Sequence, residues 1–270
     1  MKKLIDRIYL FLIFLFLYAP IIILVVFSFN NSKLRGSWAG FTLKWYKNLF
    51  ADPAILSSLW TTLIVAVVAT VISTIVGTIS AIAINELRGF KKDAILNINY
   101  LPVINPDIVT AVALMGLFGL FNIRMGYTTM IISHIVFCIP YVILSILPKL
   151  NQLQKNTVEA ALDLGATPTY AILNVVIPQI KPAILTGALM SFTLSIDDFV
   201  ISFFNTGQGV SNLSITIYSM ARKGINPSIN AVSTLMLVAL LILLVIINKR
   251  SEKMKKSRYC LLYTSPSPRD

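Results

Sequence analysis

Three carboxylates lie where a carboxylate is costly. Asp197 and Asp198 are adjacent inside one apolar run, and Asp107 follows Pro106 inside another. A charged side chain at the centre of a bilayer costs about 2.5–3.5 kcal/mol on insertion scales, so two in succession do not face lipid. They face a protein interior, a water-filled path or a basic partner. A cation leaving water needs acceptor oxygens to replace its hydration and negative charge to balance its own. Asp107, Asp197 and Asp198 supply charge, the Ser195 hydroxyl supplies an acceptor, and Trp45 offers a cation–π face. The structural alternative is that Asp107 caps a broken helix and the paired aspartates hold a neighbouring subunit through Arg or Lys.

A second constellation is polar and lies between apolar runs: Glu159-Ala160-Ala161-Leu162-Asp163-Leu164-Gly165, with Pro178 thirteen residues beyond the glycine. Asn156 or Thr157 is placed to cap a helix through Leu162, and Glu159 near its start suits the helix dipole. Gly165 can end that helix in the left-handed conformation that other residues enter at a cost. Thr167-Pro168 then reads as a second N-terminus, for a helix carrying Tyr170 to Ile177 and stopping near Pro178. Two short helices at an angle make a compact projection, and the small Ala160 and Ala161 let another surface come close.

The elements that position these groups follow from composition. The 270 residues are 56% hydrophobic and 13% charged, about half the charged share of a soluble domain, with a mean hydropathy of +0.79. Apolar runs long enough to cross a core of about 30 Å are expected near 8–29, 59–84, 100–121, 128–148, 183–204 and 229–248. The fold class expected is all-α, a polytopic membrane protein with six transmembrane helices; short alternating segments, the mark of a transmembrane barrel, are absent from the sequence. Asp197 and Asp198 then lie about 21 Å along the fifth helix. Pro102 and Pro106 interrupt the third and turn backbone carbonyls inward.

Orientation follows from Lys and Arg. With the N-terminus inside, one face collects Lys2, Lys3, Arg7, Arg88, Lys91, Lys92, Lys149, Lys155, Lys181 and the seven basic residues after Ile247. The other collects Lys33, Arg35, Lys44, Lys47, Arg124, Arg222 and Lys223. The bias puts both termini and the 149–182 loop in the cytoplasm. The outer segment 30–58 carries Trp38, Phe41, Trp45, Tyr46 and Phe50, with Thr42 placed to cap a helix from Leu43 to Phe50. Its aromatics suit the headgroup level. The first apolar run is read as a retained anchor, since no small-residue cleavage site follows it.

The +12 formal charge is a topology signal here, not a nucleic-acid surface. One histidine, His134, and two cysteines, Cys138 and Cys260, build neither a metal site nor a disulfide framework; His134 is expected to be a packed or hydrogen-bonded span residue. No catalytic residues are assigned. Consecutive aspartates cannot oppose each other as an intramembrane protease dyad, and no Gly-x-Gly-Asp context accompanies Asp107. A secondary transporter would show inverted repeats with matching broken spans, and the sequence shows none. The phosphate loop Gly-x-x-x-x-Gly-Lys-Ser/Thr is absent as well. Residues 257–270 change character abruptly and read as a non-native tail, which leaves 1–256 as one transmembrane domain.

Glu-Ala-Ala, three residues, Gly, nine residues and then Val175-Val176-Ile177-Pro178 resembles the EAA motif of ABC importer permeases, whose pattern ends Ile-x-Leu-Pro. Segments such as Trp38-Ala39-Gly40-Phe41-Thr42-Leu43-Lys44-Trp45-Tyr46, Pro106-Asp107-Ile108-Val109, Ser191-Phe192-Thr193-Leu194-Ser195-Ile196-Asp197-Asp198 and Ile217-Tyr218-Ser219-Met220 extend the resemblance to spermidine/putrescine importer permeases of the PotC type. It runs from about residue 18 to 235. The resemblance implies a MetI-like permease fold in a bacterial cytoplasmic membrane, and a non-enzymatic chain. It also implies that Glu159, Ala160, Ala161, Gly165 and Pro178 form the element that couples to an ABC ATPase dimer, and that ATP and Mg are used by that ATPase and not bound here. The partners it implies are a PotB-like second permease and a PotD-like external polyamine-binding protein, besides membrane lipid. Asp107, Asp197, Asp198, Ser195 and Trp45 become the expected substrate path. A related ABC permease for ferric iron or a phosphonate is the main alternative.

Overall fold

The computed structural model describes residues 2–32, 37–153, 155–223, 227–242 and 245. The expected tail at 257–270 and the end of the sixth expected span lie outside these, as does Cys260. The described residues are almost entirely helical, and the chain divides into two compact units. One comprises Met1–Leu56 and Ile217–Asp270, the other Ser57–Thr216.

In the first unit, α1 (Lys2–Phe27) contains Pro20, which lipid-embedded helices tolerate where polar neighbours satisfy the freed carbonyl. α1 ends where Ser28, Asn30 and Phe41 begin a tight polar turn. Asn31 N–H donates to the Gly40 carbonyl, and Thr42 N–H to that of Phe29. α2 (Lys44–Ala51) follows one residue later than expected. Thr42 is not its N-cap residue, which is Leu43, yet the Thr42 hydroxyl still accepts the Lys44 N–H at 3.2 Å.

The second unit is built on α3 (Pro53–Glu86), α6 (Tyr127–Asn151) and α9 (Ile177–Asp197). Between α3 and α6 come α4 (Phe90–Ile104) and α5 (Asp107–Leu120), bent by 107°. The 100–121 run is therefore not one straight helix. Pro106 disfavours helical geometry at Asn105, which stands extended at φ −72°, ψ 146°, and it has no N–H to carry the ladder across. α7 (Lys155–Asp163), α8 (Pro168–Ala171), α10 (Val200–Asn205), α11 (Leu213–Lys223) and α12 (Ser228–Ile242) complete the described helices. Among the described residues four helical stretches are long and apolar enough to span, the bent pair makes a fifth when counted as one span, and α12 is a shorter apolar helix.

The core of the second unit is a contact between α3, α6 and α9. Ala81, Ile84, Val142, Ile143, Ile146, Leu147, Leu150, Val176 and Ile180 are buried together. Small residues let the backbones approach, as membrane helix packing favours. A Cβ on Gly77 of α3 would stand 2.7 Å from Val142, and one on Gly187 of α9 would stand 3.4 Å from the same side chain. Ser73 and Ser191 hydroxyls meet at 2.8 Å between α3 and α9.

The fifth expected span, 183–204, is corrected at both ends. A continuous helical stretch starts at Pro168 and stops at Asp197. Pro178 does not stop it: Ile172–Val176 widens to a π turn, and Ile177 N–H reaches the Ile172 carbonyl. The wide turn lies just before the proline, whose missing N–H interrupts the α ladder at Asn174.

Candidate functional site

The helix that carries the paired aspartates ends between them. Asp197 is the last residue of α9, and Asp198 is extended at φ −65°, ψ 129°. The expectation of both aspartates along one helix is therefore replaced by a break. Asp197 is exposed. It stands at a helix C-terminus, where unpaired carbonyls already present partial negative charge. A carboxylate gains nothing from that dipole, and a cation beside it gains from both. Asp198 lies on the other side of the break and is 9% exposed. Its Oδ1 accepts from Ile201 N–H at 3.0 Å, and its Oδ2 accepts from Ser202 N–H at 2.7 Å and the Ser202 hydroxyl at 2.9 Å. Asp198 thus holds the orphan donors at the start of α10.

Around this cap lies a buried polar cluster. Ser202 has one hydroxyl proton and gives it to Asp198. Ser202 Oγ therefore accepts from the Asn212 side-chain amide at 2.8 Å and from His134 Nε2 at 2.9 Å. On a neutral ring His134 then carries its proton on Nε2, which leaves Nδ1 to accept from the Ser195 hydroxyl at 2.7 Å. His134 Nε2 is also 3.4 Å from Asp198 Oδ2. Asn212 closes the loop, donating to the Asp198 carbonyl at 3.1 Å and accepting Ile215 N–H at 2.9 Å as the cap of α11. Both ring nitrogens and the carboxylate are satisfied, as buried polar groups must be.

The chain between α10 and α11 turns back through Gly207 and Gly209, at φ +67° and +86°. At Gly207 a Cβ would also collide with the Met125 carbonyl. Asn205 donates to the Ala111 carbonyl of α5 at 3.1 Å, and Thr129 of α6 donates to the Asn205 carbonyl at 2.7 Å. Thr62 of α3 accepts Leu213 N–H at 2.8 Å. The break is thereby tied to α3, α5 and α6 at once.

Asp107 is the first residue of α5, directly after the bend, and is exposed. Its place at a helix N-terminus suits a carboxylate. Ser195 is buried, with its hydroxyl engaged by His134. Trp45 belongs to the other compact unit. It is 5% exposed, its Nε1–H donates to the Asn30 carbonyl at 2.7 Å, and the Lys44 ammonium lies 5.8 Å from its ring centroid. Its face is already occupied. Asn30 in turn accepts from Ser32 and Ala39 N–H groups and donates to the Ser37 carbonyl, so Trp45 braces a rigid turn.

The second constellation folds as two helices. α7 starts at Lys155, so Asn156 and Thr157 lie within its first turn and are not caps. Gly165 has φ +87°. Ala166 N–H bonds the Ala161 carbonyl at 3.0 Å and Gly165 N–H that of Leu162 at 2.9 Å, the paired closure of a Schellman motif. Thr167 caps α8, its hydroxyl accepting Tyr170 N–H at 3.3 Å. Glu159 and Ala160 are exposed, and so are the apolar Leu162, Leu164, Tyr170 and Leu173. Leu164 is 89% exposed. An apolar group of this kind beside polar residues has the composition of a protein or membrane contact surface.

Sequence reasoning missed Ser202, Asn205, Asn212 and Thr62. Asn212 before Leu213-Ser214 had a readable signal, since asparagine is among the best helix N-caps. Ser202 is a single polar residue among apolar ones, Asn205 begins the polar run before Gly207 and Thr62 follows Thr61; only the tertiary structure shows what they hold.

Residues 73–254 match the family described as binding-protein-dependent transport system inner membrane component. The chain is 37% identical over 238 residues to the spermidine/putrescine transport system permease protein PotC of Haemophilus influenzae, covering 88% of this chain and 93% of that one. It is 37% identical over 233 residues to the putrescine transport system permease protein PotI of Escherichia coli, covering 84% and 83%. Among solved structures, a bacterial ABC transporter involved in the import of the acidic polysaccharide alginate superposes with a TM-score of 0.71 over 93% of this chain and 94% of that one. At 19% identity, that likeness concerns the fold.

Proposed function

The chain belongs to the family of binding-protein-dependent transport system inner membrane components, and from that premise we propose that it is the permease subunit that carries polyamines, spermidine and putrescine, across the membrane. As a member of that family it is a non-catalytic membrane subunit of an ABC importer, working with a binding protein and a separate ATPase that hydrolyses ATP. The polyamine reading is supported by relatives that carry those substrates in their names over most of both chains.

The observation that carries the reading is the pair of exposed carboxylates at backbone breaks. Asp107 follows the 107° bend, and Asp197 closes α9. A polyamine carries separated ammonium groups, each needing acceptor oxygens and counter-charge. At Asp197 a carboxylate and a helix C-terminus supply both. Asp198 and Ser195 act from behind, building the break rather than touching the substrate. Trp45 braces the outer turn. High-affinity selection is left to the binding protein, so the path is a shallow site passed through in alternating access.

The exposed α7–α8 tip is the ATPase dock, with Glu159, Ala160, Ala161 and Gly165 shaping it and Pro178 setting the helix behind it. The Lys and Arg bias places this tip and both termini in the cytoplasm. A PotB-like second permease and a PotD-like binding protein complete the importer, and ATP and Mg belong to the ATPase.

The test is uptake into proteoliposomes holding both permeases, the ATPase and the binding protein. Labelled spermidine and putrescine enter on ATP addition; if neither does, the substrate reading fails. Asp197→Asn lowers uptake in a complex that assembles normally, and Glu159→Ala weakens stimulation of the ATPase while binding-protein affinity stays intact. Native uptake in Asp197→Asn would remove that residue from the path.

A further inference from the structure

We propose that His134 is a positioning residue for the transport path: by bridging Ser195 and Ser202 it fixes the angle of the break between α9 and α10, and so fixes where the Asp197 carboxylate stands. This rests on the reading of Asp197 as a path residue, and the experiment below separates the two.

A break in a helix has no ladder hydrogen bonds of its own to set its angle. Two devices act along the chain itself. Asp198 caps α10, and Asn212 ties the Asp198 carbonyl to Ser202 Oγ. Neither bonds a side chain of α9 (Ile177–Asp197) itself. His134 differs, because it sits on α6 and reaches both sides. Nδ1 takes the Ser195 hydroxyl two residues before Asp197, and Nε2–H gives to Ser202 four residues after Asp198. The ring is 1% exposed and rigid, so the separation of Ser195 from Ser202 is set by the width of an imidazole. Packing holds the ring in place: Cys138, one turn along α6, donates to the Ser191 carbonyl of α9 at 3.6 Å, and Phe137 packs with Ala111 and Ile201.

The two ring nitrogens carry different loads. Ser195 lies in a continuous helix and loses one hydrogen bond without moving. Ser202 lies beyond the break, and the bond from Nε2–H joins that of Thr129 to the Asn205 carbonyl in orienting that side against α6. Glutamine can reach the Nε2 position with an N–H donor; asparagine reaches only the Nδ1 position. The assignment therefore makes a directional prediction that a general packing role does not.

The experiment uses the reconstituted importer. Asp197→Cys is introduced with Cys260 replaced by alanine; Cys138, at 0% exposure, stays. The rate at which a cationic methanethiosulfonate reagent modifies the new thiol reports where position 197 stands. His134→Ala and His134→Asn are expected to change that rate about tenfold, the weight of one buried hydrogen bond, while His134→Gln stays near the starting value. In parallel, with Asp197 intact, His134→Ala is expected to lower maximal uptake per assembled complex by a similar factor at unchanged KM, and His134→Gln to restore it. A modification rate indifferent to His134→Ala, or one that Asn and Gln restore equally, overturns the positioning role. A changed rate with native uptake keeps the positioning role and overturns the path reading of Asp197.

Discussion

Val142 of α6 fills the space that a side chain on Gly77 of α3 would need. A Cβ at Gly77 would stand 2.7 Å from Val142 Cγ1 and 2.8 Å from its Cβ. Gly77→Ala is expected to destabilise the second unit by about 1–3 kcal/mol through overpacking. Gly77→Ala with Val142→Ala is expected to lose less than the sum of the two single changes, since they share one contact. Thermal unfolding of the purified complex in detergent measures both; strict additivity would show that the approach of α3 to α6 does not limit stability.

Asp197 and Asp198 are neighbours with opposite consequences. Asp198→Asn replaces an acceptor of two N–H groups and a hydroxyl inside the buried cluster, and should cost about 1–3 kcal/mol. Asp197→Asn touches an exposed group at a helix C-terminus and should stay within about 0.5 kcal/mol of native. Thermal melts of the two variants side by side check this. Equal destabilisation would mean that the break is not built on Asp198.

How much of this was legible depends on how local each cause is. Gly165 with Thr167-Pro168 marked a helix stop and restart because left-handed glycine and hydroxyl caps are rules of adjacent residues. Pro106 marked the bend for the same reason. The break at Asp198 has no proline and no glycine beside it; Asp198 caps α10 locally, but the groups that hold the break in place, His134, Asn212 and Thr62, lie more than ten and up to 136 positions away in the sequence. Pro178 misled in the other direction, since the helix continues past it behind a π turn that no sequence rule specifies. Trp45 was read as an open aromatic face because its type suits cations, and its burial against Asn30 depends on a turn closed by side-chain bonds.

Trp45 carries a prediction of its own. Its indole N–H is bonded to the Asn30 carbonyl in a buried setting. Trp45→Phe keeps most of the packing and removes that donor, leaving a buried carbonyl unpaired at a cost of about 1–3 kcal/mol. Uptake per assembled complex is expected to stay native while the melting temperature falls. Lost uptake at native stability would return the ring to the substrate path.

We propose that Pro178 sets the rotation of the α7–α8 tip. Without an N–H at 178 an α-helix would leave the Asn174 carbonyl unpaired, and the proline ring would press on it. The chain answers with the π turn Ile172–Val176, while Gln179 Nε2 donates to the Val175 carbonyl at 2.9 Å and Asn174 Nδ2 to the Tyr170 carbonyl at 3.1 Å. Pro178→Ala restores the donor and lets the wide turn relax to α geometry. Removing one residue from a helical repeat turns everything before it by about 100°. Leu162, Leu164 and Tyr170, all exposed and all before the turn, would then swing together relative to α9. The expected outcome is a lower ratio of polyamine imported to ATP hydrolysed, with binding-protein affinity unchanged, because the tip still folds but meets the ATPase at the wrong angle. An unchanged ratio in reconstituted vesicles would show that the π turn only accommodates the proline and has no part in coupling.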